Sequence, residues 1–494
     1  MLLRFYRTPA LAPLAERRVR ADAQARLERP IEAVETEWCF YIETTRLLFD
    51  GEINKLNWLL RETFEPDQFG SESFLELYGD IRTVMEVGPR LTYETPFSSN
   101  AVEIFRKCGL PFIKRVERST RYGVREHLNE GECNGFLAPL FDRMTQERYH
   151  SPRESFMSQV KAEPVRVIHL LEDGVDALRS INVELGLGFD EQDEQNYLRL
   201  FREGIQRNPT DSELFQLSQA NSNHSRHWDF TGAHTIDGQR WDTTMMQVVK
   251  SLWQKRPLGS VIAFADNSSA IEGVSSLQLY VGDDGFYHIN PKVLLHSTLT
   301  AETHNHPCGV EPFEGAATGG GGRIRDNQMV GRGGLPILAG AGYCTGNYNI
   351  PGYRMPWEND SWNHPSNLAS SLEIVIRASD GASNYGNCFG EPITIGFNRT
   401  FEMPVNDEHR AWYKPIMYSV GSGVVRNEHV SKFDPMPGMQ IVLLGGPGYR
   451  IGVGGGSASS MIAGANAAEL DFASVQRGNP EMENRVNRVI RACI

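Results

Sequence analysis

Eleven of the chain's 47 glycines fall between Gly315 and Gly346, and a second cluster runs from Gly445 to Gly456. Glycine weakens helix and strand interiors and suits turns and close backbone approaches. From about residue 220 onward, a chain so punctuated reads as strands joined by glycine loops, an α/β body. The apolar runs at residues 372–376, 393–397 and 439–444 are its expected strands. A length of 494 residues predicts about three or four domains.

The first part of the chain is patterned differently. Residues 2–6 read as a strand followed by a loop, and residues 33–42, 84–93 and 112–122 as further strands. Between them, Ile53, Leu56, Leu59 and Leu60 recur at helical spacing in residues 52–62. Ser98 or Ser99 is placed to cap a helix carrying Val102, Ile104, Phe105 and Cys108, with Gly109 stopping it. This alternation predicts a small α+β sandwich over residues 1–160. Residues 165–220 then predict a helical linker. One helix covers residues 175–184, and another starts after Asp190 and runs through Tyr197, Leu198, Phe201 and Ile205. A third begins at Thr210 with Glu213 in capping-box position.

Charge and cysteine use narrow the function. Lys and Arg number 49 and Asp and Glu 62, a net charge of −13. That is the wrong sign for binding a nucleic-acid backbone. No apolar run approaches the ~18 residues of a membrane span. The seven cysteines are scattered, odd in number and never spaced CxxC, as expected of reduced thiols in a cytoplasmic protein. Glu16, Asp22 and Glu28 argue against an organellar transit peptide in the arginine-rich opening.

Five stretches carry chemistry. In Gly315-Ala316-Ala317-Thr318-Gly319-Gly320-Gly321-Gly322-Arg323-Ile324-Arg325-Asp326, a glycine loop would present N–H groups to phosphate. Arg323 and Arg325 would add cations, and Asp326 a hard oxygen ligand for Mg²⁺. In Glu302-Thr303-His304-Asn305-His306-Pro307, an extended backbone would put Glu302, His304 and His306 on one face, suited to proton transfer or a metal. Cys308 shares that parity, which leaves zinc as an alternative. Two histidines and an arginine follow a helix in Gln219-Ala-Asn-Ser-Asn-His-Ser-Arg-His227. Residues 445–456 form a turn and a second anion cradle or a tight packing turn. Residues 475–483 include a helix start, capped by Asn479 with Pro480 first.

These motifs together resemble the formylglycinamide ribonucleotide amidotransferase family, in its large multidomain form. The resemblance rests on Asn221-Ser-Asn-His-Ser-Arg-His227, Glu302-Thr-His-Asn305, the run from Gly315 to Asp326, and Ile350-Pro-Gly-Tyr353. It continues through Pro356-Trp-Glu358, Phe389-Gly-Glu-Pro392, Lys414-Pro-Ile-Met417 and Asp471-Phe-Ala-Ser-Val-Gln-Arg477.

The resemblance implies a ferredoxin-like small-subunit domain over residues 1–160 and a helical linker over 165–220. It further implies an aminoimidazole ribonucleotide synthetase-like A domain over 221–431 and the start of a truncated B domain over 432–494. The implied activity is ATP-dependent conversion of formylglycinamide ribonucleotide to its amidine in purine biosynthesis, with ammonia drawn from glutamine by a glutaminase supplied elsewhere. The alternative is a catalytically inactive nucleotide-binding or assembly module. His224 and His304 would be catalytic, and Glu302 and Asp326 would hold Mg²⁺. Thr303, His304, Asn305, His306, Arg325 and Gln476 would touch the ribonucleotide. ATP would lie on residues 315–326 and on Ile395, Gly396 and Phe397. Asn223, His227 and Thr300 depart from the residues usual in relatives.

Overall fold

The computed structural model describes residues 1–61, 64–158, 160–359, 362–446 and 448–493, the side chain of residue 291 excepted. Contacts divide the chain into Met1–Glu163 and Pro164–Ile494.

The first unit is a six-stranded antiparallel sheet with its longer helices on one face and the short α3 on the other. Its strands are β1 (Leu2–Arg7), β2 (Val34–Thr44), β3 (Phe69–Gly70), β4 (Thr83–Pro89), β5 (Ile113–Val124) and β6 (Gln146–Tyr149), in the order β3-β1-β2-β5-β4-β6. The helices are α1 (Pro13–Leu27), α2 (Asp50–Leu60), α3 (Phe74–Leu77), α4 (Pro96–Lys107) and α5 (Glu130–Leu137). Alternation in β2 makes the sheet two-sided. Val34, Phe40 and Ile42 meet apolar residues of the helices, including Ala23, Leu56, Phe105 and Phe136. The opposite face buries polar groups, which must then find partners. Glu86 accepts from Tyr41 at 2.7 Å and Ser119 at 2.6 Å, and Glu37 pairs with Arg121.

Three local features differ from the sequence pattern. The loop expected after β1 contains α1: Pro13 starts it without needing its absent N–H, and Val19, Ala23 and Leu27 pack on the core. The α4 cap is Thr95, whose hydroxyl accepts from Ser98 N at 3.1 Å; Ser98 and Ser99 lie inside the first turn. The strand expected over residues 84–93 ends at Pro89. Glu62, the expected end of α2, lies outside the described residues.

The second unit opens with α6 (Leu170–Asp173), α7 (Val175–Leu185), α8 (Glu191–Arg199), a π-helical turn (Leu200–Ile205) and α9 (Asp211–Ala220). Asp190 and Thr210 form the capping boxes that start α8 and α9. Leu178, Ile181, Phe201 and Leu214 form this segment's core. The chain continues through α10 (His227–Thr231), β7 (Thr235–Ile236), β8 (Gln239–Arg240) and α11 (Met245–Lys255). Next come β9 (Ser260–Ile262), β10 (Ser269–Val281), β11 (Tyr287–Thr303), α12 (Asn305–Val310), α13 (Pro312–Gln328) and β12 (Leu335–Thr345). The last elements are α14 (Ser371–Phe389), β13 (Ile393–Thr400), β14 (Glu402–Val405), β15 (Glu408–Ala411), β16 (Ile416–Arg426), α15 (Gly455–Ser460), α16 (Ala468–Ser474) and α17 (Pro480–Cys493). A six-stranded sheet has the order β13-β12-β16-β11-β10-β9, parallel only between β12 and β13.

The glycine-rich run is not a loop. Residues 315–326 lie inside α13, one of two helices packed against each other beside this sheet. Its glycines serve close approach. A Cβ on Gly315 would sit 2.4 Å from the Pro307 backbone, and one on Gly321 would sit 2.6 Å from the Tyr385 hydroxyl. The strand expected at residues 372–376 lies in α14, started by the Ser370 hydroxyl accepting from Glu373 N at 3.2 Å. Its buried residues Ile374, Ala378, Ala382 and Tyr385 recur at helical, not strand, spacing. Residues 439–444 form no strand, and Ile441 and Leu443 are fully exposed. The strand expected at 393–397 is present within β13.

Candidate active site

A cavity of about 1000 Å³ lies in the second unit where β11 ends and α12 begins. His304 is the residue between them, and its N–H donates to Met417 O at 3.1 Å. The helix starting at Asn305 breaks the expected alternation, so His306 does not share a strand face with Glu302 and His304. Pro307 is tolerated because a missing N–H costs little in a first helical turn. All three side chains nevertheless reach the cavity, together with Thr303 and Asn305. The loop after α9 brings His224, and the segment after α16 brings Gln476. Thus seven of the expected site residues, from three separate sequence motifs, line one space.

The histidines differ in environment. Gly315 O can only accept, so His304 Nδ1 carries the proton in their hydrogen bond. Burial chiefly pulls the His304 pKa down, with the carbonyl bond opposing. The neutral ring is therefore left with Nε2 as its base. His224 is lowered by burial, then by His227 and Arg226. His306 is only 3% exposed, and neither ring nitrogen has a hydrogen-bond partner. Its Nε2 lies 3.8 Å from Asp471, whose carboxylate accepts from Asn367 at 3.0 Å. Burial holds His306 well below its ordinary 6.5, to about 4, against the pull of Asp471.

Glu302 and Asp326 form a carboxylate pair at the end of β11 and the last turn of α13. Burial, followed by Asp326's charge, pushes Glu302 up to about 7. Asp326 is raised as well, chiefly by burial. Two neighbouring carboxylates, both raised by burial, suit a hard divalent cation, and Mg²⁺ commonly takes one or two protein carboxylates plus phosphate oxygens. Among the described residues, no three His, Cys, Asp or Glu side chains are grouped to hold a metal. The zinc alternative with Cys308 therefore has no donor set, and Cys308 is itself fully buried.

Other expected residues fall elsewhere. Arg323 is 0% exposed and pairs through both terminal nitrogens with Glu391, so it is not offered to a phosphate. The α13 backbone is likewise committed to its helix, which removes the loop-cradle reading of residues 315–322. Arg325 remains partly exposed, 3.4 Å from Glu483. Ile395, Gly396 and Phe397 lie on the edge strand β13, outside the cavity lining. Lys414, to which the motifs assign no role, lines the cavity and donates to Ser459 O at 2.9 Å. Burial, then Arg226, lowers the Lys414 pKa. A lysine just before β16 was the available signal.

Two family models match the chain: the formylglycinamide ribonucleotide amidotransferase N-terminal domain over residues 37–156, and the linker domain of the same enzyme over residues 178–227. A probable phosphoribosylformylglycinamidine synthase of Arabidopsis thaliana, chloroplastic/mitochondrial by name, is 47% identical over 100% of this chain and 36% of its own length. The Homo sapiens phosphoribosylformylglycinamidine synthase is 45% identical over 94% of this chain and 35% of its own length. A solved structure, "T. maritima PurL complexed with FGAR", is 24% identical, with a TM-score of 0.37 over 60% of this chain and 37% of that one. The chain is a mixed α/β protein. Its first part and linker match models of the formylglycinamide ribonucleotide amidotransferase family, and the chain spans about a third of the length of these curated relatives.

Proposed function

We propose that this chain supplies a synthetase site that converts formylglycinamide ribonucleotide to formylglycinamidine ribonucleotide with ATP and ammonia. The observation carrying the reading is the convergence of His224, Glu302, Thr303, His304, Asn305, His306 and Gln476 on one cavity. Residues 1–160 would be the ferredoxin-like small-subunit domain and 165–220 the linker. Residues 221–431 would be the synthetase-like A domain, and 432–494 the opening of the B domain. The setting would be the cytoplasm, with ammonia drawn from glutamine by a glutaminase domain or subunit. No described helix is long and apolar enough to cross a membrane.

An amide is a weak electrophile, and phosphorylating its oxygen gives a good leaving group for ammonia to displace. Glu302 and Asp326 would hold Mg²⁺, which when bound offsets the negative charge of phosphoryl transfer. His304 would accept a proton from the attacking ammonia at Nε2, because its Nδ1–H is held by Gly315 O. His306 and Gln476 would orient the ribonucleotide, and Arg325 would balance its charge. ATP contacts at Ile395, Gly396 and Phe397 would lie apart from this cavity.

The test uses a protein carrying this chain within the full length of its relatives. ATP hydrolysis that depends on formylglycinamide ribonucleotide and ammonium salts should disappear in Asp326→Ala. Near-normal turnover in that variant removes Asp326 from the metal site.

A further inference from the structure

The loop after α9 contains a hydrogen-bond chain that sets the proton of one cavity histidine. Ser222 Oγ lies 2.9 Å from Gln219 O and 2.9 Å from His224 Nδ1. Gln219 is in the last turn of α9, where carbonyls lack intrahelical donors and carry the negative end of the helix dipole. A carbonyl brings no proton to a hydrogen bond, so the one hydroxyl proton of Ser222 lies toward Gln219 O. Were that proton turned to His224 instead, two oxygen lone pairs would face each other at 2.9 Å. The hydroxyl oxygen is therefore an acceptor toward His224, and Nδ1 carries the hydrogen.

We infer that Ser222 is a positioning residue that holds His224 in the Nδ1–H tautomer, leaving Nε2 as the ring's unprotonated nitrogen. His304 reaches the same tautomer by another route, with Gly315 O taking its Nδ1–H. His304 and His224 thus present the same basic atom, one fixed by a helix carbonyl directly and one through a serine. The anchor is itself anchored: Gln219 Nε2 donates to Ser457 Oγ at 2.9 Å, and Ser457 N donates to Gln219 Oε1 at 3.2 Å. This ties the end of α9 to α15, whose first two residues also line the cavity.

The consequence for turnover rests on the function proposed above, whereas the tautomer does not. The test is long-range proton–nitrogen NMR on the full chain with isotope-labelled histidine, at a pH where the ring is neutral. The His224 signal is identified by its loss in His224→Gln. It should report Nδ1–H in the unsubstituted chain, shift toward the Nε2–H form favoured by free side chains in Ser222→Ala, and return in Ser222→Thr. An Nε2–H signal in the unsubstituted chain overturns the inference, as does a signal unchanged in Ser222→Ala. Unchanged signals from the other histidines show that the fold survives the substitution. In the full-length enzyme, Ser222→Ala should lower kcat on the order of 10-fold with KM held, less than the ~10²-fold to 10⁴-fold of losing an acid–base group. If no variant or parent turns over, the functional reading fails and the NMR result stands by itself.

Discussion

Two histidines two positions apart stand in different hydrogen-bond environments. His304 has its Nδ1 committed to Gly315 O, whereas His306 has both nitrogens unpartnered in a buried site. Replacing His304 with Ala should therefore reduce ammonia-dependent turnover by ~10²-fold or more while shifting the melting temperature little. Parallel loss of fold and rate, measured by calorimetry beside kinetics, would make it a core histidine. His306 makes a pH prediction of definite sign. Its folded-state value lies near 4, below the ordinary 6.5. In that interval the unfolded chain binds more protons, so stability falls as pH drops. The contribution is complete above 6.5 and lost as pH falls through about 4. His304 and His224 are lowered too and add in the same direction. Denaturant midpoints should decline across this window, and less steeply in His306→Asn; equal slopes would refute the assignment.

At the scale of elements, α13 shows why glycine misleads. Each interior glycine costs a helix about 1 kcal/mol relative to alanine, so local preference points away from a helix. What reverses it is distant in sequence: Arg323 reaches over Gly421 of β16, where a Cβ would sit 2.2 Å from its guanidinium, and pairs with Glu391 at the end of α14. No local pattern records those partners. By contrast, the helix start after Asp190, the capping box at Thr210 and the Asn479–Pro480 helix start were legible, because all their atoms lie within four residues. The site residues were legible as motifs, but their convergence depended on sheet order. The turn of His306 out of the strand was hidden because Pro307 suits both conformations. The α13 packing yields its own test. Breaking one side of a buried ion pair costs about 3–5 kcal/mol. Glu391→Ala should destabilise the second unit by that order in urea unfolding. Gly421→Ala should also be destabilising, since neither β16 nor Arg323 has room to move. A loss below about 1 kcal/mol in Glu391→Ala would mean that Arg323 finds water or another partner.

For the whole molecule, the decisive feature is the face of the second sheet turned away from α13. Register places Leu299, Tyr418, Val420, Ile395 and Phe397 on that side, whereas Thr300, Ser419 and Gly421 point toward Arg323. Ile395 is 67% exposed, Leu299 55% and Val274, paired with Leu295 on the same side, 72%. Glycine at 340 and 342 flattens β12 beneath Ile395 and Phe397, so the apolar rings and branches of β13 lie close on the sheet. Single exposed apolar residues are ordinary, but a contiguous apolar face above a few hundred Å² draws a partner. Because β13 also ends the sheet, its unpaired backbone edge adjoins this apolar surface. The formal charge of −13 favours solubility overall but puts no charge on these particular positions. The chain purified by itself should therefore self-associate, with a mass by light scattering that rises with concentration. Ile395→Lys combined with Leu299→Lys should return it toward a monomer without lowering the melting temperature, since both side chains are already in solvent. A monodisperse monomer for the unsubstituted chain at all concentrations would show that this face is content in water and that its apolar character has another cause.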